Sequence, residues 1–175
     1  MKTFEQQLSQ YAAYHRDPRN IATHFVGVPM ILFAVVVLLS RPVLVDAGLP
    51  VTPALLAALV AGGYYLLLHR GTGVLMALIL AAALAGGHRI AGETTGVWLG
   101  WGLGLFVVGW VIQAIGHLFE GRKPAFFDDL VGLIIGPLFV LCEALFAAGL
   151  LAGTRAAIEG VAGPTARRSP TKAPA

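Results

Sequence analysis

Five apolar stretches, at about residues 23–40, 53–69, 73–87, 95–116 and 130–152, decide what this chain can fold into. A helix crossing a bilayer core needs about 20 apolar residues, and no fewer than roughly 17. The pattern predicts an all-α, polytopic membrane helix bundle of about five spans. Of 175 residues, 57% are hydrophobic and 12% charged, with a mean hydropathy of +0.79, too apolar for a soluble domain that must cover itself with polar side chains. The third stretch is short, and Gly71, Gly73, Gly86 and Gly87 flank it. It is therefore either a thin span or half of a tight helical hairpin with the second.

Ahead of the spans, Phe4, Leu8, Tyr11, Tyr14 and His15 stand among polar residues, a weakly amphipathic helix expected on the membrane surface and ended by Asp17-Pro18. The segment 1–20 lacks the apolar core of a signal peptide, so the N-terminus is expected to be retained. Asn20 and Thr23 are plausible caps of the first span. Residues 1–155 form one expected membrane domain, and 156–175, rich in Pro, Ala, Thr and Arg, an expected disordered tail. Gly96, Gly100 and Gly104 recur every fourth residue, a spacing that lets helix backbones approach closely, so packing is their expected use. Trp98, Trp101 and Trp110 suit interfacial anchoring or packing equally. The lone Cys142 lies in an apolar stretch and reads as a small core residue. A formal charge of +3 with Arg167, Arg168 and Lys172 in the tail favours contact with anionic lipid. No basic patch interleaved with aromatics points to nucleic acid, and the absence of GxSxG argues against a serine hydrolase.

Gln113, His117 and Glu120 fall at i, i+4 and i+7, one stripe at the end of the fourth apolar stretch, followed by Arg122, Lys123 and Pro124. Threading five spans puts His15, His24, His69 and His117 on the side of the N-terminus and His88 across from them. Lys2, Arg16, Arg19, Arg70, Arg122 and Lys123 share that side, which predicts that it is cytoplasmic. The membrane is the bacterial inner membrane or the endoplasmic reticulum, depending on source. Iron, zinc and copper accept neutral imidazole, and His15, His24, His117 and Glu120 offer ligands to such a metal. Against this, no HExxH occurs, and an isolated interfacial histidine more often satisfies a hydrogen bond. Glu143, inside the last apolar stretch, needs a partner. It reads equally as a ligand, an acceptor orienting an imidazole, or a protonated acid bonded to Gln113. Asp128 and Asp129 suit a helix cap or support of the site. Tyr11 and Tyr14 suit anchoring the surface helix or bonding a substrate carboxylate.

Taken together, Tyr11-x3-His15, Asn20-x3-His24-x2-Gly27-x-Pro29, Gly109-Trp110-x2-Gln113-x2-Gly116-His117-x2-Glu120-x-Arg122-Lys123-Pro124-Ala125 and Gly136-Pro137-x-Phe139-x3-Glu143 resemble the Mpo1-like family over about residues 3–152. The resemblance implies an iron(II)-dependent dioxygenase, with dioxygen as cosubstrate, that shortens 2-hydroxy fatty acids by one carbon. It implies His15, His24 and His117 as metal ligands and Glu120 and Glu143 as polar, catalytic members of the site. Arg122 and Lys123 at its rim, with Gln113 and Tyr11, are the expected substrate contacts, the acyl tail lying among apolar helices in continuity with the bilayer. His69 and His88 match none of these motifs. The competing expectation is a non-enzymatic scaffold or lipid-binding protein, whose histidines only satisfy helix ends.

Overall fold

The computed structural model describes residues 2–46, 48, 50–122 and 131–168. Among them are seven helices: α1 (Phe4–Ala12), α2 (Pro18–Ser40), α3 (Pro53–Leu68), α4 (Arg70–Ala91), α5 (Thr95–Glu120), α6 (Val131–Ala147) and α7 (Ala152–Ala162). A two-residue hairpin, β1 (Val45–Asp46) against β2 (Pro50–Val51), pairs antiparallel between α2 and α3. The chain divides into two compact units, Met1–Val28 with Val111–Ala175, and Pro29–Trp110.

In the first unit, α1 starts with a capping box. The Thr3 hydroxyl accepts from the Gln6 amide at 3.2 Å, and the Gln6 side chain accepts from the Thr3 amide at 2.9 Å. The apolar stripe of α1 does not lie on lipid. It packs on α6 and α7, with Leu8 and Ala12 wholly buried. The next helix begins at Pro18, whose fixed φ suits a first helical position, and Asp17 is its cap, accepting from the Arg19 amide at 2.8 Å. Asn20 and Thr23, expected as caps, lie inside α2. Their side chains instead fill the space beside Gly116 of α5, where a Cβ would stand 2.6 Å from Asn20 Oδ1.

After α6 the chain turns through Gly149 (φ 79°) and Leu151 (φ 55°), and α7 leaves at 117° to α6. The left-handed conformation comes without strain to glycine and at a cost to leucine. Phe139 of α6 lies 5.0 Å from the Tyr11 ring, while Gly163, just beyond α7, accepts from the Arg16 guanidinium at 3.3 Å. The pair therefore folds back beside the α1–α2 link. The tail expected from residue 156 is helical as far as Ala162, and Ala166 donates its amide to the Arg16 carbonyl at 3.0 Å.

In the second unit, α3 and α4 form a hairpin. His69, in extended backbone between them, accepts the Thr72 amide on its ring at 3.3 Å and so caps α4. The shorter member is α3, with 16 residues, and α4 has 22, the reverse of the expected order. Gly86 and Gly87 read in sequence as the end of an apolar stretch. They lie inside α4 because a Cβ at Gly86 would meet Phe33 at 3.0 Å, and one at Gly87 would meet Val36 at 2.8 Å. Trp98 donates its indole N–H to the Val37 carbonyl at 2.9 Å, and the Arg41 guanidinium lies 4.8 Å over its ring. In α5 the close contact falls on Gly102, against Leu38. A Cβ at Gly96, Gly100 or Gly104 would meet nothing within 4 Å, so the expected small-residue stripe packs on no part of this chain among the described residues.

Among the described residues three helices, α2, α4 and α5, are long and apolar enough to cross a membrane, and α6 with α7 makes a fourth only if the bent pair is counted as one span. Three to four candidate spans thus replace the expected five. The difference lies at α3, about 24 Å long against a hydrocarbon core of about 30 Å, and at the fold-back after α6. Apolar side chains such as Val60, Leu67 and Leu78 remain 74%, 80% and 62% exposed, as lipid-facing positions require.

Candidate metal centre

Three segments of the first unit bring one imidazole each to a common point: His15 from the α1–α2 link, His24 from α2 and His117 from the last turn of α5. All three are buried, at 1%, 2% and 7% exposure. Their ring centroids are 4.4 Å (His15 to His24), 5.0 Å (His15 to His117) and 5.2 Å (His24 to His117) apart, and the rings meet edge to face. A ring nitrogen from each lies within 4.8 Å of the others.

The protonation pattern follows from the hydrogen bonds. His15 Nδ1 is 2.8 Å from the Tyr11 carbonyl oxygen, and His24 Nδ1 is 2.8 Å from that of Asn20. A carbonyl oxygen only accepts, so in both rings Nδ1 carries the hydrogen and Nε2 keeps a bare lone pair. His15 Nε2 and His117 Nδ1 are buried without any partner. Burial, with the neighbouring His24, holds the His15 imidazole well below its usual range and so keeps it neutral. Unpartnered buried polar atoms are costly, and a divalent cation satisfies them all at once. Neutral imidazoles whose far nitrogens are fixed by main-chain carbonyls are the donor set that zinc, copper and iron accept. The residues fit a metal.

Glu120, one turn after His117, is 2% exposed and acts as a hub. Its carboxylate accepts from the amides of Arg16 (3.0 and 3.1 Å) and Asp17 (2.8 Å) and from Asn20 Nδ2 (3.1 Å), and pairs with Arg168 Nε at 3.0 Å. It thereby ties the end of α5 to the residues flanking His15 and His24. Arg16, itself 3% exposed, donates Nε to the carbonyls of Ala12 and His15 and Nη2 to Glu143 Oε1 at 3.2 Å. Glu143 is therefore held by Arg16. Gln113 is 5% exposed with Oε1 unpartnered, on the helix face that also carries His117. Tyr11 stacks on His15. Arg122 is exposed and donates to the Ala13 carbonyl at 3.0 Å. Lys123, Asp128 and Asp129 lie outside the described residues.

His69 and His88 belong to the second unit, the first as a cap and the second bonded within its own helix to the Leu84 carbonyl at 3.0 Å. Sequence reasoning missed Arg16, Asp17 and Arg168 as parts of the centre. The only signal for the first two was an unbroken ionisable run, His15-Arg16-Asp17, directly before a span.

Residues 1–148 match the family described as 2-hydroxy-palmitic acid dioxygenase Mpo1-like. The chain belongs to the Mpo1-like family. A curated Mpo1-like relative, the 2-hydroxy-palmitic acid dioxygenase MPO1 of Saccharomyces cerevisiae, is 36% identical over 158 residues, covering 87% of this chain and 86% of its own. No solved structure matches. The histidine cluster falls wholly within the part of the chain that matches the Mpo1-like family.

Proposed function

We propose that this chain is an iron(II)-dependent dioxygenase that shortens 2-hydroxy fatty acids by one carbon, with His15, His24 and His117 holding the iron. The observation that carries the reading is the convergence of three buried imidazoles, two of them with unpartnered ring nitrogens, in a chain of the Mpo1-like family. When bound, iron(II) supplies positions for the hydroxyl and carboxylate of a 2-hydroxy acid and the reducing centre for reaction with dioxygen. The chain's own residues do the rest. Main-chain carbonyls of Tyr11 and Asn20 keep Nδ1 of His15 and His24 protonated, so that Nε2 of each would be free to hold the metal. Glu120 fixes the spacing of the ligand-bearing segments, and Glu143 belongs to the same site through Arg16. Gln113 offers a side-chain amide to the polar head of the substrate, and Tyr11 a phenol hydroxyl. Arg122 and Lys123 attract the substrate carboxylate. The histidine end faces the cytoplasm, as the excess of Lys and Arg there suggests. Membrane lipid surrounds the apolar helices and delivers the acyl chain.

Anaerobic purification with metal analysis, followed by addition of oxygen and 2-hydroxypalmitate with product mass spectrometry, tests this. One iron per chain and an acid shortened by one carbon are expected. The alanine variants of His15, His24 and His117 are expected to insert but to lose iron and turnover, while His88→Ala keeps both. Iron and turnover at wild-type levels in His117→Ala overturn the ligand assignment, whereas wild-type protein with neither iron nor turnover favours a scaffold.

A further inference from the structure

The Mpo1-like match ends at residue 148, yet the chain continues through α7 and returns to the histidine cluster. Beyond α7 it makes a strap of main-chain and side-chain contacts. Arg16 donates to the Gly163 carbonyl and accepts from the Ala166 amide. At the end of the strap, the Arg168 amide donates to Asp17 Oδ2 at 2.7 Å, and the Arg168 carbonyl accepts from Arg19 Nη2 at 2.9 Å. The Arg168 guanidinium reaches Glu120 at 3.0 Å.

Glu120 has 0% side-chain exposure, and Arg168 supplies an opposite charge to it from a side chain only 31% exposed. An ionised carboxylate buried without a counter-charge is costly, whereas one paired and fully hydrogen-bonded is tolerated. The same carboxylate fixes the Arg16 and Asp17 amides, the two residues that follow His15. From these contacts we infer that Arg168 is a positioning residue. It neutralises Glu120, so that the carboxylate holds the His15 segment in register with His24 and His117, and the C-terminal strap is part of the metal centre. The link to iron rests on the function proposed above; the link to the His15 segment does not.

The test uses the full chain with Arg168→Gln, Arg168→Lys and, as a control, Arg167→Gln, whose side chain is exposed. Two quantities are read: hydrogen exchange of the Arg16 and Asp17 amides in the metal-free protein, and iron(II) affinity by anaerobic competition with a chelator. Removing an outer partner of a ligand set typically costs about 10- to 100-fold in affinity. Arg168→Gln is therefore expected to speed exchange at those amides and to weaken iron at least about tenfold. Its metal-free melting temperature should fall, because Glu120 is left buried without its counter-charge, but exchange of the amides in the second unit should stay at wild-type rates. Arg168→Lys, which keeps the charge, should recover most of the loss, and Arg167→Gln should match wild type. Unchanged amide exchange in Arg168→Gln overturns the inference whether or not iron binds. Faster exchange with unchanged iron affinity overturns the positioning of the metal centre. If wild type binds no iron while Arg168→Gln still frees the amides, the proposed function fails and the anchoring of the His15 segment stands.

Discussion

Tyr11 lies flat on His15, with ring centroids 4.1 Å apart and planes 7° from parallel, while its own carbonyl accepts the His15 Nδ1 hydrogen. One residue thus sets both the plane of the imidazole and its tautomer, and only the first depends on the side chain. Tyr11→Phe keeps the stack and the carbonyl. It should retain iron and melting temperature, and a rise in KM for the 2-hydroxy acid would mark the hydroxyl as a substrate contact. Tyr11→Ala removes a ring that is 8% exposed and should cost about 3 kcal/mol, with loss of iron. Iron content at wild-type level in Tyr11→Ala would show that the stack does not orient His15.

Gly116 is where α2 and α5 approach most closely beside the histidines. A Cβ there would stand 2.6 Å from Asn20 Oδ1 and 3.2 Å from Thr23 Cβ, and Thr23 Oγ1, nearer still, is pinned by its bond to the Asn20 carbonyl at 2.7 Å. Neither neighbour yields without breaking a bond. Gly116→Ala should therefore push the helices apart, at a cost of about 1–3 kcal/mol. Because His117 is the next residue and Asn20 holds both His24 and Glu120, iron affinity should fall more than stability does. A melting curve and a chelator titration on the same sample decide it, and an unchanged titration would refute the close-packing argument.

The His15 imidazole, held below its usual range by burial and by His24, makes stability depend on pH with a defined sign. In the unfolded chain it takes up a proton as the pH falls below about 6.5, while the folded chain refuses it. The folded state is therefore most stable above that value and loses stability as the pH drops from about 6.5 toward the depressed folded value. The melting temperature of the metal-free protein should decline between pH 7 and pH 5, and His15→Gln should flatten the slope. A slope unaffected by that substitution would assign the pH dependence to other groups.

The buried histidine cluster was legible in the sequence because polar groups among apolar stretches have few roles, and the ordered motifs around His15, His24 and His117 narrowed them further. What surrounds those histidines was not. Arg16, Asp17 and Arg168 meet Glu120 across more than forty residues of sequence, and nothing local marks a buried ion pair as distinct from an exposed charge. Span counting failed for a related reason. Apolarity measures what a segment avoids, not its direction, so the stretch at 130–152 reads the same whether it crosses or folds back. The glycines at 86 and 87 read as an end because their packing partners, Phe33 and Val36, are remote in sequence.

The fold-back of α6 and α7 makes a prediction about topology. In the second unit Arg41 bonds Thr95 at 3.1 Å, so α5 starts beside the end of α2. The 26 residues of α5 span about 39 Å, enough to cross a membrane. Since the chain returns to Arg16 after α7, Lys2 and Arg167 should lie on the His117 face. In a Cys142→Ala background, impermeant thiol reagents should label Lys2→Cys and Arg167→Cys from one side and Glu93→Cys from the other. Labelling of Arg167→Cys together with Glu93→Cys would mean that α6 and α7 cross as one broken span, and the strap from Gly163 to Arg168 could not then reach Glu120.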